Sequence, residues 1–175
     1  MPGLISEWLY SFGLYLRICL FMASPSDLPA SVRSLQLTLV AYFIAGLFLL
    51  RDQYGPLQVL AHIAIEMGIF YALCFLVLRW QRRLQRMLQT MSALVGSSLV
   101  VSLVSIPVSL LLPQMTPTGE INTSAMTVNL MLLFWNLAVI SLIFKRAFEV
   151  PTIAGGFVAF NFFLIYELIV INFLQ

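Results

Sequence analysis

The sequence predicts an all-α integral membrane protein: a bundle of five transmembrane helices preceded by an N-terminal amphipathic interfacial helix. Three observations carry that prediction. Hydrophobic residues make up 61% of the chain and charged residues 9%, with a mean hydropathy of +0.99, whereas about a quarter of an ordinary soluble domain is charged. Five apolar runs reach the roughly 20 residues that a helix needs to cross a hydrocarbon core about 30 Å thick. The runs also lack the alternating polar pattern of barrel strands, and a helix satisfies every backbone N–H and C=O within its own segment.

No Gly/Ser-rich linker or long charged tract divides the chain. Residues 1–175 therefore read as one membrane domain without a soluble partner domain, with 1–32 an interfacial helix and turn and 33–175 the five-helix bundle. The opening "LISEWLYSFGLYLRICLFM" gathers Ser6, Glu7, Tyr10, Ser11, Gly13 and Arg17 on one side of a helical wheel. Leu4, Ile5, Leu9, Phe12, Leu16 and Leu20 fill the rest. This is the pattern of a helix lying in the membrane interface, with Trp and Tyr at headgroup depth; a sixth span is the alternative. A cleaved signal peptide is not expected, because no basic region precedes the apolar run. "ASPSDLPAS" then forms a turn into a capped helix start, with Ser31 or Asp27 accepting from backbone N–H groups.

The predicted spans are Arg33 to Leu50, Pro56 to Leu78, Met91 to Leu112, Ala125 to Phe144 and Thr152 to Phe173. Gly55-Pro56 separates the first two, "PQMTPTGE" the third and fourth, and Pro151 suits the first turn of the fifth. "RWQRRLQRMLQT" has no breaker, so a helix is expected to run on through it beyond the bilayer. Orientation follows from the basic residues. Arg17, Arg33, Arg79, Arg82, Arg83, Arg86, Lys145 and Arg146 fall on one side and Arg51 alone on the other, which predicts a cytoplasmic N-terminus and an external C-terminus. Arg79, Arg82, Arg83, Arg86, Lys145 and Arg146 would form a collar against anionic lipid headgroups.

Polar groups inside the spans are the candidate functional residues. His62 and Glu66, four apart, share one face of the second span. Counted from Pro56 at about 1.5 Å per residue, they lie about 9 Å and about 15 Å deep. By the same count Glu167 lies about 9 Å from the outer end, Asn129 about 6 Å, and Asn136 and Asn161 near the middle. A cluster of His62, Glu66, Asn129, Asn136 and Glu167 is expected in the outer half of the bundle. Three uses remain open: interhelical hydrogen bonding, a proton or ion pathway, or a metal or small-ligand site. Ser98, Ser102, Ser105 and Ser109 form a narrow stripe on the third span, and Gly155 and Gly156 open the fifth; both read as close-packing faces. Pro107 should kink the third span, with Ser hydroxyls helping to satisfy the carbonyl it frees.

Other chemistry finds little foothold. His62 is the sole histidine, and no HExxH, GxSxG, P-loop or dinucleotide fingerprint occurs, so neither an enzyme nor a cofactor is expected. A net charge of +2 does not point to nucleic acid. Cys19 and Cys74 sit in apolar runs without ligand partners and read as small hydrophobes, with palmitoylation of Cys19 the alternative.

"DQYGPL", Asp52 to Leu57, resembles the Asp-x-x-Gly-Pro-Leu signature of Yip-domain membrane proteins. The tail from Leu133 to Asn172 has a similar rhythm, with Trp135, the Lys145-Arg146 turn and a small-residue start to the last span. In that family the signature precedes the first span; here it precedes the second. The resemblance implies five spans and, in eukaryotic members, a scaffold-like role with Rab-type GTPases in vesicle formation. Short loops favour a bacterial inner membrane. The leading expectation is a non-enzymatic accessory or scaffold subunit, its partners the lipid bilayer and other membrane proteins or further copies of itself. The alternative is a small transporter or proton-coupled component using the His/Glu cluster.

Overall fold

The computed structural model describes residues 4–51, 54–112 and 122–173. Regular structure among them is entirely helical: α1 (Leu4–Cys19), α2 (Val32–Leu50), α3 (Pro56–Trp80), α4 (Met87–Leu111), α5 (Thr123–Phe148) and α6 (Thr152–Phe173), with single 3-10 turns at Pro25–Asp27 and Leu84–Arg86. The last five helices are long and apolar enough to cross a membrane, as their composition predicts. The "PQMTPTGE" segment and Asp52 and Gln53 of "DQYGPL" lie outside the described residues, as do the side chains of Leu4 and Ile5.

α4 is the central helix, packing against α1, α2, α3 and α5. In its most apolar stretch 44% of residues are buried, against 22% in each of the other four spans. The reason is legible in its side chains. Lipid tails are as apolar as leucine, so helices associate in a membrane through close van der Waals packing, which small residues permit. Ser92, Ala93, Gly96, Ser97 and Ser98 are all buried. Gly96 is the tightest point: a Cβ there would stand 2.3–2.5 Å from ring atoms of Tyr15, which is 0% exposed. α5 and α6 pair by the same device, since a Cβ on Gly155 would lie 2.8 Å from the Ser141 carbonyl oxygen and 3.1 Å from the Lys145 Cβ. Gly156 has more room, 3.5 Å from Ser141 Oγ.

Three helices end in the same way. α1, α3 and α5 are each followed by a non-glycine residue at positive φ: Phe21 at 64°, Arg82 at 58° and Glu149 at 53°. In each case the next N–H reaches back five residues along the turn, from Met22 to Arg17 (2.8 Å), Arg83 to Leu78 (2.8 Å) and Val150 to Lys145 (3.1 Å). These are Schellman caps, which glycine ordinarily fills. The three turns lie together at one end of the molecule: Arg146 donates to the Phe21 and Ala23 carbonyls, and Arg83 and Arg86 pair with Glu149.

Several expectations are corrected. "RWQRRLQRMLQT" does not continue as helix; α3 stops at Trp80 because the cap at Arg82 reverses the chain, and α4 starts at Met87. Pro151 precedes α6 rather than entering its first turn, and its carbonyl accepts from Gly155 N at 3.0 Å. α4 runs through Pro107 to Leu111. The neighbouring hydroxyls do not take up the Leu103 carbonyl that Pro107 leaves free: Ser105 donates to Val101 O and Ser109 to Ile106 O. In α1, Ser11 belongs to the packed side rather than the polar side. It is 1% exposed, donates to Glu7 O and accepts from the Ser34 hydroxyl at 3.0 Å, because α2 offers it a partner. At the turn both capping expectations hold: Ser31 Oγ accepts from Ser34 N at 3.3 Å, and Asp27 accepts from Ser24 N at 2.8 Å.

Candidate functional site

The site forms where α2, α3, α4 and α6 meet. Gly46 on α2 lets α3 approach, since a Cβ there would stand 3.1 Å from Ile63 Cδ1 and 3.7 Å from Val59 Cγ1. One turn before Gly46 is Tyr42, and three residues after Ile63 is Glu66. The close approach brings the Tyr42 hydroxyl to Glu66 Oε2, to which it donates at 2.5 Å. One turn earlier on α3, His62 Nδ1 shares a 3.2 Å hydrogen bond with the Tyr166 hydroxyl of α6. The Tyr54 ring packs against the imidazole, with centroids 4.6 Å apart and planes at 60°. Phe162 stacks on Phe70 at 4.1 Å and continues to Tyr166 at 6.4 Å, so an aromatic column holds α6 in register with α3.

Between these groups lies a cavity of about 130 Å³. Tyr42, His62, Glu66, Ser102 and Tyr166 supply its polar lining, and Gly46, Leu49, Leu50 and Ile63 its apolar lining. Among the described residues, no lysine or arginine lines it. His62 is 6% exposed and its Nε2 has no hydrogen-bond partner among the described residues. Unpaired polar atoms away from water are costly and rare. Glu167 adjoins Tyr166 on α6 and does not line the cavity.

The predicted cluster is therefore only partly assembled. His62 and Glu66 both line the cavity and Glu167 does not, and His62 and Glu66 bond sideways to tyrosines on other helices rather than to each other. Asn129 and Asn136 do not line the cavity. α5 packs on α4 and α6, so Asn136 agrees with Glu66 in depth but not in direction. Asn136 Oδ1 is buried without a partner among the described residues, and Asn161 turns back to its own helix, donating to Phe157 O at 2.8 Å. Among the described residues no group of three His, Cys, Asp or Glu is placed to hold a metal ion.

The serine stripe divides. Ser98 is buried in the α2–α4 contact and Ser102 faces the cavity, whereas Ser105 and Ser109 bond to their own helix. The basic residues divide too. Arg83 and Arg86 are held by Glu149, with Arg86 Nη1 2.6 Å from Oε1, and Arg146 by the α1 turn. Those two guanidinium partners, Arg83 first, hold the Glu149 carboxyl below its ordinary pKa. Arg79 lies 5.6 Å from the Phe75 ring centroid, Arg82 is exposed, and the backbone of Lys145 packs against Gly155. Cys19 and Cys74 are free thiols buried in the core.

Sequence reasoning missed Tyr42, Tyr54 and Tyr166, which complete the site, and Gly46, which permits it. A signal existed for two of them: Tyr42 lies one turn from Gly46, and Tyr166 adjoins Glu167, both well inside a span rather than in the interfacial belt where tyrosine is common. Comparison of the chain with protein-family models, with curated proteins and with solved structures finds no match.

Proposed function

We propose that this chain is a proton-coupled membrane component in which Glu66 is the working ionisable group, with His62, Tyr42 and Tyr166 positioning it. One observation carries the reading: a carboxyl about 15 Å from the start of its span borders a cavity and, among the described residues, has one tyrosine as its hydrogen-bond partner. A residue serving only to join helices would be satisfied by protein on all sides. Ionisable groups are rare within spans and commonly mark proton or substrate paths. In this reading α1 lies in the interface and the end bearing Arg83, Arg86 and Glu149 faces the cytoplasm of a bacterial inner membrane, with the C-terminus outside. Arg79, Arg82 and Lys145 then meet lipid headgroups.

The test is Glu66→Gln in protein reconstituted into liposomes, comparing proton flux and oligomeric state with wild type. Flux lost with assembly intact is the expected result. Unchanged flux with altered assembly would sink the transport reading.

A second reading, an accessory subunit packed against other membrane proteins in the manner of a Yip-like scaffold, draws on α5 and α6. Among the described residues Asn161 and Asn172 bond to their own helix there, and Asn136 keeps a buried oxygen without a partner. Polar side chains of that kind can join neighbouring helices.

A further inference from the structure

We infer that the cavity between α2, α3, α4 and α6 binds a small primary ammonium ion in exchange for a proton on Glu66. The inference rests on the reading of Glu66 as a working protonatable group and names what it works on. Four features of the site converge on that ligand class.

The first is charge. Glu66 borders the cavity with no lysine or arginine among the lining residues, and an ionised carboxylate within a membrane needs a counter-charge. Either a proton on Glu66 or a cation in the cavity supplies it. The second is size: about 130 Å³ is close to the engineered cavity of about 150 Å³ that holds one benzene, which limits the ligand to a few non-hydrogen atoms. The third is the lining. A bare metal ion would call for several oxygen ligands, and among the described residues no such carboxylate or histidine group exists. Leu49, Leu50 and Ile63 suit an alkyl group instead, while the Tyr54 and Tyr166 rings flanking His62 suit a positive charge. The fourth is hydrogen bonding. The oxygens of Glu66, Tyr42, Tyr166 and Ser102 are acceptors for the three N–H groups that a primary ammonium carries.

The exchange balances without a further reactant. The protonated Glu66 loses its O–H proton to water, the carboxylate so formed pairs with the entering ammonium, and no covalent bond to carbon or nitrogen changes. The site carries one positive equivalent in both states. The other titratable groups lining it are His62 on α3, Tyr42 on α2 and Tyr166 on α6; Tyr54 packs on the His62 ring and Glu167 adjoins Tyr166 without lining the cavity, and α4 contributes Ser102. The Arg51 guanidinium lies over the Phe48 ring, 4.5 Å from its centroid, and does not line the cavity.

The test is calorimetric titration of the full chain in nanodiscs with ethylammonium, repeated in buffers of different ionisation enthalpy and at several pH values, with potassium and tetraethylammonium as comparison ions. The expected result is one proton released per ethylammonium bound, with affinity falling about tenfold per pH unit on the acid side of Glu66 titration. Glu66→Gln should abolish binding. Tyr42→Phe, which keeps the carboxyl, should bind more weakly while still releasing the proton. Absence of binding, binding without proton release, or equal binding of potassium would each overturn the inference. The two proposals fail separately: Glu66-dependent proton flux without ethylammonium binding removes only the ligand, and proton-linked binding without flux removes transport while keeping the site.

Discussion

The hydroxyl of Tyr42 donates a 2.5 Å hydrogen bond to Oε2 of Glu66, joining α2 to α3 through the most deeply placed carboxyl of the second span. That bond exists because Gly46 and Ile63 touch one turn away. Its energy is bounded by experience with membrane helices, where hydrogen bonds between spans average about 0.6 kcal/mol and reach about 1.7.

Tyr42→Phe should therefore cost about 1 kcal/mol of stability. In infrared difference spectra, the Glu66 carboxyl band, assigned with Glu66→Gln, should shift as its donor disappears. An unshifted band would show that the two groups are not bonded in the membrane.

Gly96→Ala tests the centre of the bundle. The new methyl would overlap the Tyr15 ring, and overpacking of this kind costs about 1–3 kcal/mol. Tyr15→Leu in the same chain should recover part of the loss, with a coupling of about 1 kcal/mol or more between the two sites. Thermal unfolding in detergent of the two single variants and the double completes the cycle; strict additivity would refute the contact.

Arg82→Gly should stabilise the protein. Arg82 holds φ 58° in the cap of α3 and its side chain is exposed, and the left-handed conformation costs an L-residue about 1–2 kcal/mol that glycine does not incur. A gain of about 1 kcal/mol in unfolding free energy is expected. A loss would mean that the Arg82 side chain makes contacts worth more than its backbone strain.

Glu149 predicts a pH dependence. Arg83 and Arg86 lower its pKa in the folded protein, so the unfolded chain takes up the proton first as pH falls. The stabilisation is present in full above the ordinary glutamate value of about 4.3 and is lost as pH drops through the lower folded value. Wild type should therefore lose melting temperature more steeply than Glu149→Gln below that point, and the difference should shrink in high salt, since the pair is exposed. Parallel curves would rule out the pairing.

How far the fold is legible in the sequence depends on which coordinate is asked for. Span number and approximate ends follow from hydropathy and breakers; α6 begins and ends where expected, and α2 starts one residue early. The end of α3 was not legible, because its cap rests on Arg82 in a conformation that glycine or asparagine usually signals. Within the site, His62 and Glu66 stood out as polar residues in an apolar run. Tyr42 and Tyr166 carried a weaker signal, their place well inside a span, which takes on meaning only once the partner on another helix is known.

What the sequence by itself determined is the solvent and the axial order: five segments long enough to span, and the depth of each polar residue along them, because the length of an apolar run and the rise of a helix follow from composition alone. What only the tertiary structure decided is rotation and neighbour choice. Asn136 and Glu66 share a depth, yet α5 turns the asparagine away from the cavity. With no hydrophobic force distinguishing one apolar face from another in lipid, those rotations are set by where small residues permit contact, at Gly46, Gly96 and Gly155.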